Sequence, residues 1–236
     1  MLMADSVSTS CRSSPGSHRM RRRRRLWPWL VLFCLMIFAV SLAPPARTYI
    51  LRSAGWLLVV EDQPPVKSAD IIVVAIDADG AGTLEAADLV HRGVSAQVAV
   101  FEDRSNAGVD REFLRRGLPY EDRAAISTRQ LHSLGVQNVE QIARVSGSEQ
   151  EGHILPNWCD KRGYHSAVLV TSSDHSRRLS RILRRSLHGH QTRITILSSP
   201  YSEFTPDGWW KTRAGVRVGI FEFEKLLLDF LLHPFS

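Results

Sequence analysis

The chain has 236 residues, 44% of them hydrophobic, with 30 lysines and arginines against 24 acids, a formal net charge of +6. Residues 1–25 hold seven arginines and one acid, Asp5, so this segment alone accounts for the net +6 and the remainder is close to neutral. A nucleic-acid surface on the globular part therefore has no charge support. Cys11, Cys34 and Cys159 fall in three separate settings, which excludes a disulfide within the domain and a metal cluster built from cysteine.

Residues 1–25 read as a Ser-rich basic tail ending in RMRRRRR. Leu26 to Ala43 (LWPWLVLFCLMIFAVSLA) follows without a charge, at the lower end of what spans a bilayer. Trp27 and Trp29 suit a membrane interface. The arginines before this segment predict a cytoplasmic N-terminus, contact with anionic lipid, and everything after Pro44 outside. A cleaved signal peptide ending at Ser41-Leu42-Ala43 is the rival, although two prolines directly after Ala43 hinder cleavage.

Residues 44–69 form a linker and lead-in, with a helix from Ile50 to Val60 ended by Pro64-Pro65. From residue 70 to 236, strand and helix patterns alternate. Strands are predicted at Asp70–Ile76, Ala96–Phe101, Val139–Val145, Ser166–Ser172 and Arg193–Leu197. Helices are predicted at Thr83–His91, Val109–Arg116, Glu121–Leu134, Glu149–Lys161 (interrupted or kinked at Pro156), after His175, and at Val216–Leu232. Near-continuous apolar strands between helices indicate an α/β fold. The expectation is a three-layer Rossmann-like sandwich with a mainly parallel five-stranded sheet, preceded by one N-terminal transmembrane helix.

The run VLVTSSDHSRRLSRIL at 168–183 concentrates the chemistry. A buried strand leads through Thr171, Ser172, Ser173 and Asp174 into a helix whose Leu179, Ile182, Leu183 and Leu187 share one face. Asp174 or Ser173 is placed to cap that helix. His175, Arg177 and Arg178 then stand in its first turn, where open α/β sheets bind ligands and free amides favour anions. Cations there oppose the helix dipole, so the arginines want solvent or an anionic partner. Arg181, Arg184 and Arg185 extend a basic face that can equally be solvated.

On this strand–TSxxHxxR–helix junction, the chain resembles the YdcF-like (ElyC/SanA) family, a domain of unknown function. The likeness runs from about Leu57 to Leu232 through RRGLPYEDRAAISTRQLHSLGVQNVEQI, SEQEGHILPNWCDKRGYHSAVLVTSSDHSRR and GWWKTRAGVRVGIFEFEKLLLDF. The resemblance implies a Rossmann-like domain of the bacterial envelope associated with lipid-carrier and wall metabolism. Thr171, Ser172, His175 and Arg178 match its turn; Glu151 matches its helix-start acid, with Ser148 where Thr is usual; Trp209, Trp210, Glu222 and Lys225 match its tail. Two departures stand out. The loop IDADGAG puts Gly82 where the family has an Arg, and the second strand ends Phe101-Glu102-Asp103 in place of Ser-Gly-Gly.

The resulting expectations are specific. Glu151 and His175 are an acid/base pair, while Ser148, Thr171, Ser172 and Arg178 bind a ligand, Arg178 by gripping a phosphate bidentately. Ser148 with Glu151 also fits a capping box, and no Gly-x-Ser-x-Gly elbow supports a serine hydrolase. Asp77, Asp79, Glu102 and Asp103 could hold a divalent cation or be solvated loop acids; no other metal spacing occurs, and no cofactor is indicated. The expected protein is a single-pass inner-membrane protein with an extracytoplasmic domain. It either acts on or binds a phosphate-bearing or lipid-linked ligand, or is a degenerate family member that binds a ligand or partner without turnover.

Overall fold

The computed structural model describes residues 28, 29, 31–33, 36, 43–60, 66–103, 107–118 and 121–234. The chain divides into two compact units, Met1–Ile50 and Leu51–Ser236. In the first, the described residues before 43 are helical and exposed. The expected span at 26–43 and the tail before it lie almost wholly outside the described residues. Among those described, no helix is long and apolar enough to cross a membrane.

The elements, in order, are α1 (Pro44–Leu58), β1 (Ile71–Val74), α2 (Asp79–His91), β2 (Gln97–Asp103), α3 (Ala107–Arg115), α4 (Arg123–Ser133) and β3 (Asn138–Val145), then α5 (Ser148–Arg162), β4 (Ser166–Thr171), α6 (Ser176–Ser186), β5 (Arg193–Ser198), a short 3₁₀ turn (Trp209–Lys211) and α7 (Arg213–Leu232). The five strands form one sheet in the order β3-β2-β1-β4-β5. Every pairing is parallel, with Ile72 beside Val98 and Val168, and Leu169 beside Ile196. This is an α/β, Rossmann-like arrangement, and the sheet is parallel throughout.

Ile71, Ile72, Val73 and Val74 are all buried. Successive strand side chains point to opposite faces, so both faces of β1 are covered. The same holds for β4, where Ala167 to Thr171 are buried. The apolar runs predicted for these strands follow from that two-sided burial. Helices α2 and α4 pack on each other and against the β1–β2 side. Helices α5 and α6 pack together and reach β3 and β5. A separate cluster of Leu58, Phe204, Trp209 and Leu226 joins the second half of α1 to α7.

Three local expectations change. Helix α5 runs through the buried Pro156 without the interruption that proline allows. Lead-in helix α1 begins at Pro44, with proline in the first turn, where its missing N–H is harmless. Gly82 lies in α2 against the sheet, and a Cβ there would stand 2.8 Å from Val74 Cγ1. The helix approaches β1 too closely for the arginine that the family pattern places there.

Gly152 plays the same part between α5 and α6, since an added Cβ would press directly into Ile182 Cγ2. Both elements are buried at this point, so relief requires moving backbone. Gly152→Ala is expected to lower stability by about 1–3 kcal/mol, the usual size for an overpacked core, despite alanine's better helix propensity. Thermal melting of the variant checks this; an unchanged or raised midpoint would mean that the α5–α6 contact is loose.

Candidate functional site

Strands β1 and β4 are neighbours at the centre of the sheet, where the direction of winding reverses. At such a switch point the connecting segments separate and leave a crevice beyond the carboxyl ends of the strands. Beyond β1 the chain continues through Ala75 and Ile76 to Asp77; beyond β4 it continues through Ser172, Ser173 and Asp174 to His175. Ser172 Oγ donates to Asp77 Oδ2 at 2.9 Å, tying the two strand ends together, and Thr171 Oγ1 approaches the same oxygen at 3.5 Å.

His175 opens α6 and is 1% exposed. Its Nε2 lies 2.9 Å from Ser148 Oγ, at the start of α5. Its Nδ1 lies 3.1 Å from Glu222 Oε2, contributed by α7, and 3.6 Å from Asp77 Oδ2. Arg178 reaches Glu222 through Nε at 3.1 Å and stands with Nη2 2.8 Å from His175 Nδ1. Lys225, one turn beyond Glu222, donates to Oε1 at 2.5 Å. Four elements distant in sequence thus meet at one imidazole.

The carboxyls around it are driven apart electrostatically. Burial works to raise Glu222, but the hydrogen bond and charge of His175, then those of Arg178, outweigh it and hold Glu222 well below the usual carboxylate range. Burial, reinforced by Asp77 and Glu222, pushes Asp174 up to about 6. Burial, then the charge of Asp77, raises Glu151 well above its ordinary value. Glu151 accepts from the Ile76 amide at 3.3 Å through Oε1, while its buried Oε2 has no partner among the described residues. One acid held low and two pushed upward, at one edge of the sheet, is a division typical of acid/base sites.

A crevice of about 520 Å³ lies over this edge, lined by Asp77, Asp79, Ser172, Asp174, Glu203 and Arg217 among others. Phe204 forms part of its wall. A second cavity of about 420 Å³ lies between α2 and α4, against Thr83, Leu84 and Gln130. It contains none of the histidine's partners.

The structure brings Ser148, Thr171, Ser172, His175 and Arg178 to one edge, with Glu151 buried beside Ile76. Their engagements differ from the expected ones. Ser148 does not cap α5: Gly147 is the N-cap, and Gln150 accepts from the Ser146 amide, freeing the Ser148 hydroxyl to meet His175. Glu151 consequently makes no capping box, and its contact is Ile76. The acid bonded to His175 is Glu222, not Glu151. Arg178 directs its fork onto Glu222, so the expected bidentate grip on a phosphate is occupied from within.

The remaining arginines of the run also find partners. Arg177 donates to the carbonyls of Leu57 and Val59 at the end of α1, a favourable place for a cation. Arg181 is buried on Asp229, and Arg185 bridges Asp229 and Glu149, so the solvated basic face reduces to Arg184. Asp174 is not the helix cap, because it is drawn into the acid cluster and His175 occupies the N-cap position without a side-chain bond. Among the loop acids, Asp79 pairs with Arg123 and Glu102 with Arg144, so they do not converge on a common point. Asp103's side chain is outside the described residues. Among the described residues, Glu149, Asp229 and His233 approach one another closely enough to share an ion, but Arg185 already joins the first two.

No family model matches this sequence, and no curated protein matches it. Among solved structures, a universal stress protein in complex with cAMP is similar over 57% of this chain and 99% of its own, at 13% identity and a TM-score of 0.34. A likeness of that size carries no argument about function.

Proposed function

We propose that this chain is a membrane-anchored bacterial envelope protein of the YdcF-like kind. Residues 26–43 hold it in the inner membrane, 1–25 lie in the cytoplasm against anionic lipid, and the outward-facing domain acts on a phosphate-bearing or lipid-linked ligand in the β1–β4 crevice. The observation that carries the catalytic part is His175, which has an ionised carboxylate on one ring nitrogen and a hydroxyl on the other beside that crevice. A histidine fixed in this way can take a proton from the hydroxyl and pass it on. Arg178 supports it by keeping Glu222 charged, while Arg217 at the crevice lining offers a cation to a ligand phosphate.

A second reading, a module that binds its ligand without turnover, is favoured by one observation: the close approach of α2 at Gly82 leaves no room for the family's arginine. Binding tests the part that both readings share. Arg217→Ala in the full chain in detergent is expected to weaken binding of farnesyl phosphate roughly fivefold, since an exposed ion pair contributes about 1 kcal/mol or less. Arg184→Ala, on the exposed face of α6, is expected to bind as the parent does. Titration calorimetry that finds Arg217→Ala and the parent equal would remove phosphate from the crevice.

A further inference from the structure

We infer that Ser148 is a nucleophile that takes an acyl group from a carboxylic ester, activated by His175 with Glu222 as the positioning residue. The inference deepens the catalytic reading of the sheet edge and rests on it. A serine whose hydroxyl meets an imidazole, with a carboxylate on the far ring nitrogen, is the arrangement that makes an otherwise weak nucleophile reactive. Here those distances are 2.9 Å and 3.1 Å, from α5 to α6 to α7.

Two features argue against a purely structural hydroxyl. The Ser148 hydroxyl caps no amide of α5, whose N-cap is Gly147 with no side-chain cap bond, and it is turned instead onto His175. Ser148 also follows a strand–turn–helix passage, β3 to Gly147 to α5, which brings its buried side chain to the carboxyl edge of the sheet and onto His175. The first amides of α5 lack a carbonyl one turn back within the helix, so they can face an oxyanion formed at Ser148.

The direction of the Ser148–His175 bond follows from what surrounds Nδ1. Two carboxylate oxygens lie near it, Glu222 Oε2 at 3.1 Å and Asp77 Oδ2 at 3.6 Å. They favour the proton on Nδ1, the tautomer in which Nε2 accepts from the serine. Arg178 Nη2 stands 2.8 Å from the same nitrogen and competes for it. Its guanidinium is already held by Glu222 through Nε and, at 3.4 Å, through Nη2. Were Arg178 to donate to Nδ1, Nε2 would carry the proton and Ser148 would be an inert acceptor. The experiment below separates the two arrangements.

The charge of the site selects the electrophile. Asp77, Asp174 and Glu222 stand around His175, so a phosphoester dianion attacked at Ser148 itself meets repulsion, whereas Arg217 on the crevice lining can hold a phosphate elsewhere on the ligand. An ester carbonyl is neutral until attacked. Oγ bonds to the acyl carbon as its proton passes to Nε2. The C–O bond to the alcohol then breaks, and the alcohol leaves with that proton. Water repeats the sequence on the acyl-serine and releases the carboxylic acid. The acid-lined crevice suits a hydroxyl-rich alcohol portion.

The test uses the full chain in detergent, a fluorophosphonate probe and p-nitrophenyl butyrate. The expected result is one adduct, mapped to Ser148 by mass spectrometry. Ser148→Ala should abolish the adduct and lower ester turnover on the order of a hundredfold or more, with the melting temperature little changed. Glu222→Gln should lose kcat with KM nearly constant, and Glu222→Asp should recover part of it, which a role in folding alone would not produce. A natively melting protein that gives no Ser148 adduct, or a Ser148→Ala variant that cleaves the ester as fast as the parent, overturns the inference. Farnesyl phosphate binding by Arg217→Ala reports the phosphate reading separately: an adduct on Ser148 with unchanged phosphate binding would leave the nucleophile and discard the phosphate.

Discussion

Replacing Glu222 by Ala is expected to destabilise the domain by about 3–5 kcal/mol, the range for deleting one partner of a buried ion pair. For a domain of this size that lowers the melting temperature by roughly 10 °C or more. The side chain is 7% exposed, and it is the anion shared by Arg178, His175 and Lys225. Its removal leaves Arg178, itself only 13% exposed, without a counter-charge at the junction of α6 and α7. Lys225→Ala removes a half-exposed partner of the same carboxylate, with the side chain 55% exposed, and should change stability by about 1 kcal/mol or less. Equal melting of Glu222→Ala and the parent would show that the cluster does not hold the helices together.

The same residue sets an acid limb. The folded-state value of Glu222 lies below its unfolded value, so its stabilisation is fully present above the ordinary carboxylate range. It is lost as the pH falls through that range and below. The variant should therefore show a shallower decline in stability on acidification than the parent. This also constrains the catalytic test, because Glu222 combines a positioning role with a structural one. Ser148→Ala, which removes only a hydroxyl, therefore decides that test.

Much of this architecture can be read in the sequence, for a definite reason. Strands such as IIVV and VLVT are buried on both faces, which forces continuous apolar runs, and Gly93, Gly135 and Gly163 mark helix ends with positive φ. His175 is legible because it opens a helix just beyond the carboxyl end of a buried strand. Its carboxylate partner is not, since Glu222 lies 47 residues away and enters only through the docking of α7. From the sequence it stands out solely as part of a Glu-x-x-Lys pattern. The anionic partner expected for Arg178 is Glu222, which local rules cannot name because α7 brings it from 44 residues away. Ser148 is ambiguous because one hydroxyl serves equally well as a cap or a reactive group, and only the placement of His175 decides which it meets. Asp77 and Asp174 look like loop and cap residues until the strands are set side by side.

Asp174→Asn is expected to raise stability at pH 7 by about 2–3 kcal/mol and to leave it nearly unchanged at pH 4. Asp174 is 8% exposed, and its folded-state value is pushed from 3.8 to about 6. Burial is the main cause. Asp77 and Glu222 add to it, against an opposing backbone hydrogen bond and the charge of His175. Between those two pH values the folded protein binds more protons than the unfolded chain. Stability must therefore fall as the pH rises from about 4 to about 6, and stay flat above. Asparagine keeps the shape of the protonated acid and cannot ionise, so the variant lacks this descending limb. Glu222 contributes the opposite slope at lower pH, so the parent should be most stable in the weakly acidic range while Asp174→Asn holds its maximum to neutral pH. A carboxylate retained at a cost to folding, beside His175 and on the crevice lining, is a feature of functional sites. Asp174→Asn should accordingly slow turnover of the ester while it stabilises the fold. Denaturant melts of parent and variant at pH 4 and pH 7 decide the electrostatic part: parallel curves, or a loss at pH 7, would mean that Asp174 is solvated and carries no such burden.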